Sequence, residues 1–159
     1  MAKILKVSKK HSLKSAIDLG IAMQLTNISR DVIEDSKINR FYINENFDEI
    51  SSTINLADTF YENSFHSIKD IPMSFRFSIL VARRVYRKIG YKILNKKKLE
   101  NYKNSGKIYV SNIEKTLETF LSKSFLNSLN FLFLISIELL SSAILSTTLQ
   151  KSYKAEHFV

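Results

Sequence analysis

Apolar positions in this chain recur at three- and four-residue intervals, the spacing of helices that bury one face. The pattern predicts a first helix from about Ser12 to Ser36, a second over residues 48–70 and a third from about Ser74 to Asn95. In the second, Ile50, Ile54, Ala57, Tyr61, Phe65 and Ile68 make up the apolar stripe. Ile71-Pro72 then breaks the helix, because proline has no amide to donate and pushes its predecessor out of the helical region. Residues 37–47 lack the periodicity and read as a loop; residues 96–111 read as a basic connection. A short helix is expected from Asn112 to Lys123, and residues 125–149 form the most apolar stretch. Glu138 interrupts that stretch, and a charge near the centre of a spanning helix costs about 2.5–3.5 kcal/mol. A core helix, or one lying on a membrane surface, is therefore expected there in preference to a span.

The first helix carries a second pattern. Gln24, Asn27, Asp31 and Asp35 fall at i, i+3, i+7 and i+11. At about 100° per residue they share one stripe roughly 80° wide. Leu19, Ile21, Ala22, Leu25, Ile28, Val32 and Ile33 occupy the neighbouring arc, so the polar stripe borders an apolar surface. Two carboxylates one turn apart repel slightly unless a positive charge lies between them. A hard divalent cation suits the position, since it takes carboxylate oxygens and fills its shell with water and phosphate. Spacing alone leaves open the ordinary alternative, a helix with acidic residues on its wet face.

Composition narrows the class. The chain has 159 residues, 45% of them hydrophobic, with one proline and three glycines. That is a single-domain length with enough apolar residues for a core, and it favours an all-α protein. The absence of cysteine excludes disulfides and thiolate metal sites. His11, His66 and His157 are too scattered for a ligand set. A formal net charge of +9 points to anionic partners: diphosphates, anionic lipid or nucleic acid. No nucleic-acid-binding motif supports the last of these. The first ten residues are basic and their apolar run is too brief for a secretory signal, which suggests a cytoplasmic protein.

The string LGIAMQLTNISRDVIED resembles the second aspartate-rich motif of the squalene/phytoene synthase family, the head-to-head prenyl diphosphate condensing enzymes. Leu19, Gly20, Ala22, Gln24, Leu25, Asn27, Arg30, Asp31, Glu34 and Asp35 carry the likeness. Further on, Ala57, Tyr61, Ile71-Pro72, Arg76, Ala82, Tyr86, Ile89 and Gly90 follow the same family, and VYRKIG looks most like bacterial phytoene synthases. The resemblance spans roughly residues 13–120. It implies an all-α isoprenoid-synthase-type bundle of five or six helices. Asp31 and Asp35 would hold Mg²⁺ (or Mn²⁺), and Gln24, Asn27, Arg30, Arg40 and Lys107 would meet the substrate diphosphate. Tyr86 would face the reaction cavity. At Lys107 the family usually has arginine; lysine offers a point charge without the bidentate fork. Asn44 stands where the family has a proline after Arg40 and Tyr42.

The implied reaction joins two geranylgeranyl diphosphates into phytoene and expels diphosphate. It calls for two aspartate-rich motifs on facing helices, and no second Asp-x3-Asp pair occurs in this sequence. Residues 1–123 are thus expected to form the C-terminal half of such a domain, followed by an apolar helix and tail over 124–159. Such a half alone would have little or no turnover, and an apolar face would be left for a separate N-terminal half. A squalene-type synthase, or a non-enzymatic family member acting as a membrane-associated assembly factor, is the alternative. The basic flanks of residues 125–149 would suit peripheral contact with an anionic membrane.

Overall fold

The computed structural model describes residues 9–128, and all regular structure among them is helical. The helices are α1 (Lys10–Ser36), α2 (Phe47–Phe65), α3 (Met73–Leu94) and α4 (Leu99–Asn104), with a 3-10 turn at Ile68–Asp70. Residues 112–128 form a further helical stretch, α5. The chain divides into two units, residues 1–122 and 123–159; of the second, residues 123–128 are described and are helical. The expectation for the apolar stretch beyond Ser128 lies outside the described residues, as does that for residues 1–8.

The long helix α1 packs chiefly on α2 and secondarily on α3. Its buried positions include Ala22, Thr26, Ser29 and Val32, all small or β-branched. They recur at three- and four-residue steps and bring the α2 backbone close. The Thr26 hydroxyl bonds the Ala22 carbonyl at 2.9 Å and the Tyr61 hydroxyl at 3.0 Å. Burial pushes the Tyr61 phenol up to about 12. The main core lies beyond this seam, with Val32, Ile50, Ile54, Ile89, Ile93, Tyr102, Ile108 and Val110 buried together. Fully burying one such aliphatic side chain contributes about 1.5–3 kcal/mol.

Helix α2 ends earlier than its periodicity predicts. Ile68 is buried, but in the 3-10 turn, and this turn is tied back to α1. The Ser15 hydroxyl bonds Ser67 at 2.9 Å. Asp70 accepts from Ser12 at 2.7 Å and from Lys9 at 2.9 Å, and lies 2.9 Å from the His11 ring. Helix α1 has no side-chain cap and no acidic residue in its first turn. Asp70 brings the missing negative charge to that helix start from another element. The Lys9 ammonium, with Ser12 next, holds its carboxyl well below the usual range.

Helix α5 turns two of its acids to α3. Glu118 is buried and accepts from Arg84 at 2.8 Å and Lys88 at 3.3 Å. Glu114 pairs with Lys92 at 2.6 Å, and that ammonium with the Ser111 amide holds its carboxyl down to about 2. Ile113, Leu117, Phe120 and Leu121 are left exposed on the same helix.

Candidate functional site

The face of α1 that carries the polar stripe is turned away from the buried seam. Ala22, Thr26 and Ser29 sit about 140–180° round the helix from Asp31 at 100° per residue. Gly20 and Gln24 are exposed, and Ile17 and Ile21 on the same face are 62% and 37% exposed. The stripe is thus an open surface with an apolar end at Ile17–Ile21 and an acidic end at Asp31–Asp35.

Asp31 does not stand free. Arg30 Nε donates to its Oδ1 at 2.9 Å and Arg30 Nη2 to its Oδ2 at 2.6 Å. Lys107 Nζ reaches the same Oδ1 at 3.0 Å. Burial works to raise the Asp31 pKa, but the bonds from Arg30 and Lys107 outweigh it and hold the carboxyl below its ordinary value. Arg30 and Lys107 are both held more firmly protonated by the same contact. Lys107 comes from the connection between α4 and α5, just after Gly106 at φ +61°. The structure therefore brings Arg30, Asp31 and Lys107 into one cluster across 76 residues of sequence.

Asp35, one turn on, has no side-chain hydrogen bond or ion pair among the described residues. It lines a shallow surface depression with Ile28, Val32, Arg40, Tyr42 and Ile43. The Arg40 amide donates to the Asp35 carbonyl at 2.9 Å, which folds the loop back over the end of α1. Arg40 is itself exposed. Asn27, one turn before Asp31, has a buried Oδ1 without a hydrogen-bond partner. Tyr86 on α3 is half-buried, packed against Ala22, Ala57 and Tyr61 and within electrostatic range of Arg30. Gln24 stands exposed, without a side-chain hydrogen bond among the described residues.

One residue that sequence reasoning did not single out holds this cluster together. Tyr102, on the short α4, is 3% exposed and its hydroxyl donates to the carbonyls of Ser29 at 2.9 Å and Arg30 at 2.8 Å. It fixes the backbone of α1 at the acidic end of the stripe and ties to it the segment that delivers Lys107. A lone tyrosine inside a basic run carried no periodic signal.

Among the described residues no group of three or more histidine, cysteine, aspartate or glutamate side chains could hold a metal ion. Two carboxylates one turn apart and the orphaned Asn27 oxygen nevertheless fit the protein's share of a Mg²⁺ shell whose other positions go to water and phosphate.

Known proteins resemble this chain over part of its length. The squalene/phytoene synthase family model matches residues 1–47, which include all of α1 and the loop carrying Arg40. A phytoene synthase from Pseudescherichia vulneris is 33% identical over 114 residues, covering 58% of this chain and 37% of that protein. A 15-cis-phytoene synthase from Paracoccus sp. is 33% identical over 111 residues, covering 58% and 36%. That of Enterobacter agglomerans is 30% identical over 115 residues, covering 59% and 39%. The chain spans little more than a third of the length of these relatives. Over these stretches the chain is similar to the squalene/phytoene synthase family, and every regular element among the described residues is helical.

Proposed function

We propose that this chain supplies one wall of a phytoene synthase-like prenyltransferase site, for head-to-head condensation of two geranylgeranyl diphosphates with loss of diphosphate. The observation that carries this reading is the two-faced α1. Its back is buried through Ala22, Thr26, Ser29 and Val32, and its front presents Gln24, Asn27, Asp31 and Asp35 beside exposed Ile17 and Ile21. An acidic end next to an apolar end suits a diphosphate joined to a prenyl chain. Arg30 and Lys107 can pair with phosphate oxygens, Lys107 as a point charge. Arg40 lies at the rim of the depression beside Asp35; Tyr86 packs against the Ala22, Ala57 and Tyr61 cluster within electrostatic range of Arg30, and its role at the reaction cavity rests on the family resemblance.

Mg²⁺, held by Asp31 and Asp35, would supply charge to neutralise the departing diphosphate. The protein's own share is to orient that end, and to keep water from the apolar end once the open face is covered. The cover is a second helical segment bearing the facing carboxylates, as the relatives' greater length suggests. Peripheral contact with an anionic membrane fits the exposed Ile113, Leu117, Phe120 and Leu121 of α5. No helix among the described residues is long and apolar enough to cross a membrane.

The test is coexpression of the full chain with the remaining length of a 15-cis-phytoene synthase, followed by chromatography of products from geranylgeranyl diphosphate and Mg²⁺. Product is expected with the partner segment and not without it. Asp31→Asn and Asp35→Asn should each remove it. Undiminished product from both variants would refute the assignment.

A further inference from the structure

Asp31 can accept about four hydrogen bonds through its two carboxylate oxygens. Three are already taken, and Oδ1 carries both Arg30 Nε and Lys107 Nζ. A small divalent cation needs an oxygen lone pair at about 2.0–2.1 Å and near-octahedral surroundings. An ammonium on the same oxygen denies it the lone pair and repels it. Arg30 adjoins Asp31 in the chain and cannot withdraw far. Lys107 can: its side chain is 34% exposed, it ends a long flexible stem, and it follows Gly106 at φ +61°.

We propose that Lys107 is a built-in counter-ion that closes Asp31 to a divalent cation until an anion draws the lysine away. A phosphate or diphosphate arriving beside Asp31 carries more charge than one carboxylate and attracts the Lys107 ammonium more strongly. Its arrival would free Oδ1, so that Asp31 and Asp35 would be open to hold a divalent cation that neutralises the phosphate charge. Cation and anion thus bind well together and poorly apart, and linkage makes the coupling equal in both directions. The inference rests on the site reading above and adds to it a control of binding order. It gives a reason for lysine at this position: a monodentate point charge is released more readily than a two-pronged guanidinium.

The experiment titrates Mn²⁺ into the full chain without any anion, with free Mn²⁺ followed by electron paramagnetic resonance. Lys107→Gln and Lys107→Met are expected to bind Mn²⁺ at least roughly fivefold more tightly than the unaltered chain, the lower end of typical coupling. The double variant D31N/K107Q should lose that gain. Inorganic pyrophosphate without metal should bind more weakly to Lys107→Gln. If neither Lys107 variant gains Mn²⁺ affinity while D31N and D35N still lose it, the site stands and the lock is refuted. If D31N and D35N leave Mn²⁺ affinity unchanged, the site reading falls and the lock with it. Loss of helical circular dichroism in both Lys107 variants would make Lys107 a structural tie and overturn the lock as well.

Discussion

Replacing Tyr102 by phenylalanine isolates one hydroxyl at the junction of fold and site. The ring is buried among Val32, Ile50, Ile54, Ile89, Ile93, Ile108 and Val110 and would stay in place. The hydroxyl donates to the Ser29 and Arg30 carbonyls at 2.9 and 2.8 Å. A buried hydrogen bond of this kind contributes about 1 kcal/mol net, and an acceptor stranded without water costs about 1–3 kcal/mol. Both carbonyls lie in mid-helix, where intrahelical amides also serve them, so the loss should be about 1–1.5 kcal/mol. Tyr102→Ala empties the ring site as well and should cost about 3–5 kcal/mol. Urea unfolding followed by circular dichroism measures both at pH 7. The alkaline limb gives an independent check. Burial, followed by the charges of Glu34 and Asp31, raises the Tyr102 pKa in the folded chain. An unfolded tyrosine ionises near pH 10. The contribution is therefore complete below about pH 10 and is lost as pH rises towards the raised folded value. The gap between the unaltered chain and Tyr102→Phe should shrink above pH 10. Tyr61, raised to about 12, gives both proteins a common residual loss. A Tyr102→Phe protein within about 0.3 kcal/mol of the parent at pH 7, or a gap undiminished at pH 11, would refute this account.

The same substitution should have opposite signs at two glycines. At Gly90 a Cβ would meet Ile54 Cγ2 at 3.1 Å inside the core, so Gly90→Ala should destabilise by about 1–3 kcal/mol despite its better helix propensity. At Gly20 nothing lies within 4 Å, so Gly20→Ala should stabilise the isolated chain by about 0.5–1 kcal/mol, and thermal melts of the pair settle both signs. Asp70→Asn removes the clamp on the start of α1. Because the folded Asp70 carboxyl is lowered, its contribution is present above about pH 4 and is lost as pH falls through the folded value. With Lys9 and His11 largely exposed, the cost at pH 7 should be about 1 kcal/mol. The difference should fade in urea melts at progressively lower pH.

Local pattern carried the long helices well, because each buries one face at helical period. α1 was expected from about Ser12 and begins at Lys10, and α3 was expected from about Ser74 and begins at Met73. The errors fall where a distant contact decides. The second helix was extended to residue 70 because Ile68 keeps the period, yet Ser67 and Asp70 serve α1, more than 50 residues away, and the chain turns to reach it. The sequence of α4 reads as basic connection because KKKLENYKN has no apolar stripe. Its one structural anchor is Tyr102, whose acceptors lie 72 and 73 residues upstream. The stripe from Gln24 to Asp35 was legible from spacing, but spacing could not show that Asp31 is already paired. Arg30, at i−1, projects about 100° away on an ideal helix, and only its long side chain bends back to the carboxylate. Lys107 was found through resemblance alone; no helical period relates it to α1.

The open face of α1 can keep its shape without a cover because its main buried ties act from behind or near its ends. Tyr61 bonds Thr26 at the back, Tyr102 holds the Ser29–Arg30 backbone, and Asp70 anchors the first turn. None of these uses the residues of the stripe. Asp31, Asp35 and Asn27 therefore stand in fixed register on a prepared surface, and a facing segment would meet a helix already in place. Gly20 sits on that surface with empty space around it. The absence of a side chain is unfavourable for an exposed helix by itself, yet it lets another backbone approach closely. Gly20→Ala should then stabilise this chain alone and weaken its association with a covering helical segment. An alanine that stabilised the chain and left that association unchanged would mean that the partner docks elsewhere.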